Sequence, residues 1–157
     1  MVPNATEFDA SEINKLLARR KNAEAHTLKF VYLGTLSKPK GIQWMISSFN
    51  DLSQNAELYI AGKGKLRDYV EEQAKNNKKI HFVGFLNETQ VDELLKECDV
   101  LLCPSQWQEP FGRVVLDAYK HAMPVICSDQ GALPSLVDDG KTGFVIAVSY
   151  THLRAHE

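Results

Sequence analysis

Two carboxylates eight positions apart, Glu109 and Asp117, stand in the stretch EPFGRVVLDAYKHAMP, and two lysines, Lys38 and Lys40, stand between glycines in GTLSKPKG. Carboxylates can accept hydrogen bonds from hydroxyl groups, and lysines in a glycine-bracketed loop can hold an anion as point charges. An apolar run closing in Cys-Pro-Ser precedes the first acid, which suggests a buried strand, a sharp turn and a helix. If Phe111 and Gly112 open that helix, Glu109 lies in the loop before it and Asp117 lies more than a turn inside. Eight residues of helix span about 12 Å, an upper guide to a separation that suits the two ends of a long ligand better than one bond. A hydrolytic pair must flank one glycosidic bond at roughly 5 to 9.5 Å, with one raised pKa, and an acid beside Arg113 at i,i+4 is poorly placed for that. Arg113 also offers the plainer account of Asp117, a surface ion pair worth a few tenths of a kcal/mol.

The elements that must position these groups are legible as six apolar runs: LKFVYLG (28–34), ELYIAG (57–62), KIHFVG (79–84), CDVLLCPS (98–105), PVICSD (124–129) and GFVIAV (143–148). Most are continuous rather than alternating, as strands covered on both faces require. Helical periods lie between them. Ile42, Met45, Ile46 and Phe49 share one face, as do Leu66, Tyr69, Val70 and Ala74, then Val91, Leu94, Leu95 and Cys98, then Phe111, Val114, Val115 and Ala118. Asn87 followed three residues later by Gln90 has the pattern of a helix start. Strand and helix alternate, so the expected fold is α/β, a doubly wound parallel sheet of about six strands with right-handed crossovers.

In such a sheet ligands bind beyond the carboxyl ends of the strands. The loops there read GTLSKPKG (34–41), AGKGKL (61–66), GFLNET (84–89), PSQWQEPFG (104–112) and SDQGALP (128–134), rich in glycine, lysine and hydroxyl residues. That composition suits a phosphorylated ligand, with helix N-termini favouring its charge. Gly62-x-Gly64 does not continue as a dinucleotide fingerprint, because Arg67 occupies the position of the third glycine and the run follows the second strand. Trp107, in the loop before Glu109, is equally suited to stacking on a ligand and to a structural role, whereas Trp44 reads as structural. His121 closes the helix after Asp117, a place where a histidine caps or meets the dipole.

At 157 residues, with 44% apolar and 24% charged residues, the chain has room for one domain with a sizeable core. The formal net charge of -2 argues against a bulk nucleic-acid binder. Cys98, Cys103 and Cys127 are far apart and read as buried thiols rather than a disulfide framework or zinc site. No apolar run approaches the ~18 to 20 residues a membrane span needs, and MVPNATEFDA lacks the order of a signal peptide, so a cytoplasmic protein is expected. The expected division is a linker and short helix carrying Ile13, Leu16 and Leu17 over 1–27, a Rossmann-like domain over 28–148, and a non-native tail over 149–157.

Taken together, VPNATEFD, GTLSKPKG, LYIAGKGKLRDYVEE, IHFVGFLNETQVDELLKECDVLLCPS and EPFGRVVLDAYKHAMPVICSDQGALPSLVDDGKTGF resemble the donor-binding half of a retaining glycosyltransferase of family 4, with the GT-B fold. The resemblance covers residues 2 to 147 and is specific as an ordered set, not in any one piece. It implies a nucleoside-diphosphate sugar (UDP-, GDP- or ADP-linked) as donor, no cofactor and no metal. It also implies roles: Glu109 on hydroxyls of the transferred sugar, Lys40 on the departing diphosphate, and the amides of Phe111 and Gly112 near sugar and phosphate. Asp117 would hold the ribose, Gly34 and Thr35 would form the phosphate loop, and Phe85 and Ser105 would lie by the base. An N-terminal acceptor-binding domain would be missing, leaving the chain inactive alone, and the complete enzyme could attach peripherally to a membrane.

Three positions depart from the family pattern. Thr35 stands where an arginine is common, which removes a bidentate phosphate clamp. Asp117 replaces a longer glutamate, and GALPS carries Ala132 for a glycine and Ser135 for a glutamate. A non-catalytic nucleotide or nucleotide-sugar binding module would use the same residues. A receiver-type signalling domain shares the fold class, but its first strands should end in acids, whereas these end in Gly34, Ala61-Gly62 and Gly84.

Overall fold

A computed structural model describes residues 27–52 and 55–147. Six strands form one sheet: β1 (Leu28–Leu33), β2 (Ala56–Ala61), β3 (Ile80–Gly84), β4 (Val100–Cys103), β5 (Val125–Ser128) and β6 (Gly143–Ile146). Their order is β3-β2-β1-β4-β5-β6 and every pair is parallel. The expected doubly wound sheet is present, with each strand inside or within one residue of the apolar run that announced it.

The helices are α1 (Ile42–Asn50), α2 (Arg67–Asn76), α3 (Glu88–Glu97), α4 (Arg113–Lys120) and the short α5 (Leu133–Leu136). A 3-10 turn, Lys38–Lys40, precedes α1. Two apolar clusters sandwich the sheet, one holding Ile42, Ile46, Leu58 and Val70, the other Leu95, Leu101, Val115 and Leu133. Continuous apolar strands are needed because side chains alternate between these two layers. Asn87 and Gln90 form the capping box at the start of α3, with Asn87 Oδ1 accepting from the Gln90 amide at 2.9 Å and Gln90 Oε1 from the Asn87 amide at 3.0 Å.

Strand order reverses between β1 and β4, which pair through Phe30 with Val100 and Val31 with Leu101. The connections leaving those two strands diverge to opposite faces, and a crevice opens between them at their carboxyl ends. The linker, the helix carrying Ile13, Leu16 and Leu17, and the tail over 149–157 lie outside the described residues.

Candidate functional site

The loops after β1 and β4 are stitched together where the crevice opens. The Gln106 amide donates to the Pro39 carbonyl at 2.8 Å. Gly41 adopts φ 77°, and a Cβ there would meet the Pro104 carbonyl oxygen at 1.9 Å, so only glycine lets the two loops approach this closely. A third loop closes from β5. Ala132 donates its amide to the Glu109 carbonyl at 2.7 Å, and a Cβ on Gly131 would stand 2.3 Å from the Glu109 backbone. Gln108 and Gln130 join the same seam, with Gln108 Nε2 donating to Gln130 Oε1 at 3.2 Å.

Glu109 is the centre of the arrangement. Its Oε1 receives Lys40 Nζ at 2.5 Å, Ser105 Oγ at 2.8 Å and Trp107 Nε1 at 3.0 Å. Burial by itself raises the carboxyl pKa, but the hydrogen bonds from Lys40, Ser105 and Trp107 outweigh it and hold Glu109 below the usual glutamate value. Lys40, placed by the Pro39 turn, and Glu109, placed by the β4 loop, thus form one ion pair across the switch point.

Two adjoining cavities follow the crevice. One, of about 220 Å³, is lined by Gly34, Thr35, Lys40, Ser105, Glu109 and Gly112. Arg113, the first residue of α4, lines it as well. The other, of about 240 Å³, shares the wall Leu33, Gly34 and Thr35 and is otherwise bounded by Lys63, Phe85 and apolar neighbours. The Lys63 ammonium sits 4.7 Å from the centre of the Phe85 ring. Seven of the nine expected site residues therefore border one or other of these two adjoining cavities.

Phe111 and Asp117 line neither cavity. The helix opens at Arg113, two residues after the Phe111 start that the apolar period suggests, because Gly112 takes φ 62° and ψ 43° and breaks the run. Phe111 is left 61% exposed instead of joining the buried face with Val115 and Ala118. Gly112 at φ 62° suits this left-handed turn, and a Cβ there would stand 2.9 Å from Leu136 and 3.0 Å from Leu133. Asp117 is half-buried one turn into α4, and burial raises its carboxyl pKa despite the opposing charges of Arg113, His121 and Lys120. Arg113 and Asp117 form no ion pair within 4 Å among the described residues, although the Arg113 charge still acts on the carboxyl.

His121 and the three cysteines lie outside the two cavities except for Cys103, whose thiol is buried. His121 Nδ1 meets the Asp117 carbonyl at 2.9 Å and its Nε2 meets Asp92 at 2.6 Å, tying the end of α4 to α3. Cys98, Cys103 and Cys127 are buried and none is in a disulfide; burial pushes the Cys127 thiol up to about 11 and Cys103 higher still. Gly62 permits close packing of two loops, since a Cβ there would lie 1.8 Å from the Gly34 carbonyl oxygen, and it also lines the cavity that holds Phe85.

Comparison with known proteins gives the family and supports the fold. The family described as glycosyl transferases group 1 matches residues 14–155. The chain belongs to this family. It is 35% identical over 142 residues to an uncharacterized glycosyltransferase of Methanocaldococcus jannaschii, covering 85% of this chain and 36% of that protein. It is 33% identical over 121 residues to the glycogen synthase of Mycobacterium tuberculosis, covering 73% of this chain and 29% of that protein. The crystal structure of Anabaena HepE in complex with UDP and glucose shares the fold, with a TM-score of 0.69 at 24% identity over 95% of this chain and 43% of that one. This member of the group 1 family thus spans about a third of the length of the curated relatives it matches. No helix among its described residues is long and apolar enough to cross a membrane.

Proposed function

We propose that this chain is the donor-binding half of a retaining glycosyltransferase that moves a sugar from a nucleoside-diphosphate donor to a hydroxyl acceptor. The observation that carries the reading is the Lys40–Glu109 pair, 2.5 Å across the switch point, in a cavity that shares the wall of Gly34 and Thr35 with an apolar one bearing Phe85. One ligand fits that sequence of environments: a planar base in the apolar cavity, a diphosphate beside Lys40 and a sugar at Glu109. The structural neighbour titled as a complex with UDP and glucose supports a nucleotide sugar as the class.

Each residue has a distinct task in this account. Lys40 meets negative charge as the glycosidic bond breaks, and Arg113 and the Gly34–Thr35 backbone border the same space. Glu109, ionised well below neutral pH, accepts hydrogen bonds from sugar hydroxyls and holds the anomeric carbon in place. Asp117 is assigned the ribose hydroxyls by its place in the family pattern; it lines neither cavity, so the ligand would have to extend past their edge to reach it. An acceptor site requires a second half, so the chain alone binds the donor without transferring its sugar. A non-catalytic nucleotide-binding module is the second reading, and only turnover with a complete enzyme separates it from the first.

The direct test is calorimetric titration of the 157-residue chain with UDP, GDP and ADP. Saturable binding of one of them supports the donor-half reading and chooses the base. A folded chain that binds none of the three contradicts it.

A further inference from the structure

Trp107 is 49% exposed, yet both its edge and its face are engaged. The indole Nε1 donates to Glu109 Oε1 at 3.0 Å, the oxygen that also receives Lys40 and Ser105. The Lys40 ammonium lies 5.3 Å from the centre of the indole system, within the range over which a cation is drawn to an aromatic face. The Trp107 carbonyl meets Ser105 Oγ at 3.5 Å, so this one residue touches all three members of the Glu109 cluster. Among the described residues no hydrogen bond reaches Glu109 Oε2.

We infer that Trp107 is a positioning residue of the donor site: its N–H fixes Glu109 through Oε1, leaving Oε2 for a sugar hydroxyl, and its ring face seats Lys40 for the diphosphate. This rests on the donor-half reading and adds a residue outside the cavity walls to it. The physics is pre-organisation. A lysine on a four-carbon stem and a glutamate on a two-carbon stem are otherwise loose, and a rigid indole held between them restricts both. Trp107 also explains how two opposite charges stay correctly placed before a ligand arrives, since an ion pair alone is short of directional constraint.

The two functions of the indole can be separated. Trp107→Phe keeps a ring face for Lys40 and removes the N–H; Trp107→Ala removes both. Calorimetry of the 157-residue chain with UDP should show the phenylalanine variant within about twofold of the unaltered protein and the alanine variant weakened about fivefold, the scale of one exposed cation–π contact. Carboxyl-carbon NMR supplies a readout that needs no ligand. The Glu109 titration midpoint should move up toward the ordinary glutamate range in both variants, and the Trp107 indole N–H resonance should follow that titration in the unaltered chain but not in Glu109→Gln.

Unchanged UDP affinity in Trp107→Ala, or an unmoved Glu109 midpoint in Trp107→Phe, would overturn the inference. Equal losses of UDP affinity in the two variants would overturn the division between edge and face. If the unaltered chain binds none of UDP, GDP and ADP, the donor-half reading fails and the positioning role falls with it. The NMR titration would then still report whether the indole and Glu109 are bonded, so the two failures are told apart.

Discussion

Lys40 and Glu109, 69 positions apart in the chain, meet at 2.5 Å beyond the carboxyl ends of β1 and β4. Neither is fully exposed, with 25% and 16% of their side chains open to solvent, so the pair is screened less than a surface bridge. Its consequence for stability is a matter of sign. The folded state lowers the Glu109 pKa, so the contribution is complete above the unfolded glutamate value of about 4.3 and is lost as pH falls through the folded value. Thermal unfolding followed from pH 7 down to about pH 3 should therefore show a steeper loss in the unaltered protein than in Glu109→Gln. Parallel curves would mean the carboxylate is not held as described.

Asp117 works in the opposite direction. Burial raises its pKa, so ionisation of the folded chain costs stability above the unfolded aspartate value of about 3.9, and that cost is absent at lower pH. Asp117→Asn should raise the melting temperature at pH 7 and leave it unchanged near pH 3, while weakening nucleoside-diphosphate binding. A gain in stability together with a loss of binding is the mark of an acid kept for a ligand. Unaltered binding would remove Asp117 from the site.

Gly131 carries Glu109 by close backbone approach. It adopts φ 58° and leaves no room for a Cβ, with the Glu109 backbone 2.3 Å from where that atom would lie. Gly131→Ala should cost about 1 to 3 kcal/mol of stability and displace the Glu109 loop, so that UDP binding weakens even at temperatures where the variant is folded. Chemical denaturation and calorimetry on the same preparation measure both effects.

His121 separates structural from functional coupling in the same helix. Its bonds to Asp92 and to the Asp117 carbonyl hold α4 against α3, so His121→Ala should lose about 1 to 3 kcal/mol. UDP affinity measured well below its melting temperature should stay within about twofold. A larger loss would show that the end of α4 must be clamped for the donor site to form.

Much of this was open to reading in the chain itself, for physical reasons that differ by element. Strands buried on both faces must be apolar throughout, so LKFVYL and VLLC declare themselves, and the Asn87–Gln90 pair announces α3 because a cap needs those side chains three apart. Phe111 misled because it continues the helical period of Val114, Val115 and Ala118, whereas the left-handed turn at Gly112 delays the helix to Arg113. Arg113 and Asp117 have the spacing of an ion pair and do not form one, since spacing permits a contact without requiring it. The Lys40–Glu109 pair, the clasp by Gly131 and the double engagement of Trp107 could not be read, because each joins loops whose proximity is created by the sheet order. The aromatic two positions before an acid was the available signal for Trp107.

Whether Lys40 and Glu109 together mark a nucleoside-diphosphate site is decided by titrating the unaltered chain and Lys40→Ala with UDP and with uridine, in parallel with GDP and ADP. One diphosphate should bind saturably, Lys40→Ala should weaken it by about tenfold or more, and the matching nucleoside should be indifferent to the substitution. A diphosphate that binds equally well with and without Lys40, or a folded chain that binds none, would contradict that assignment.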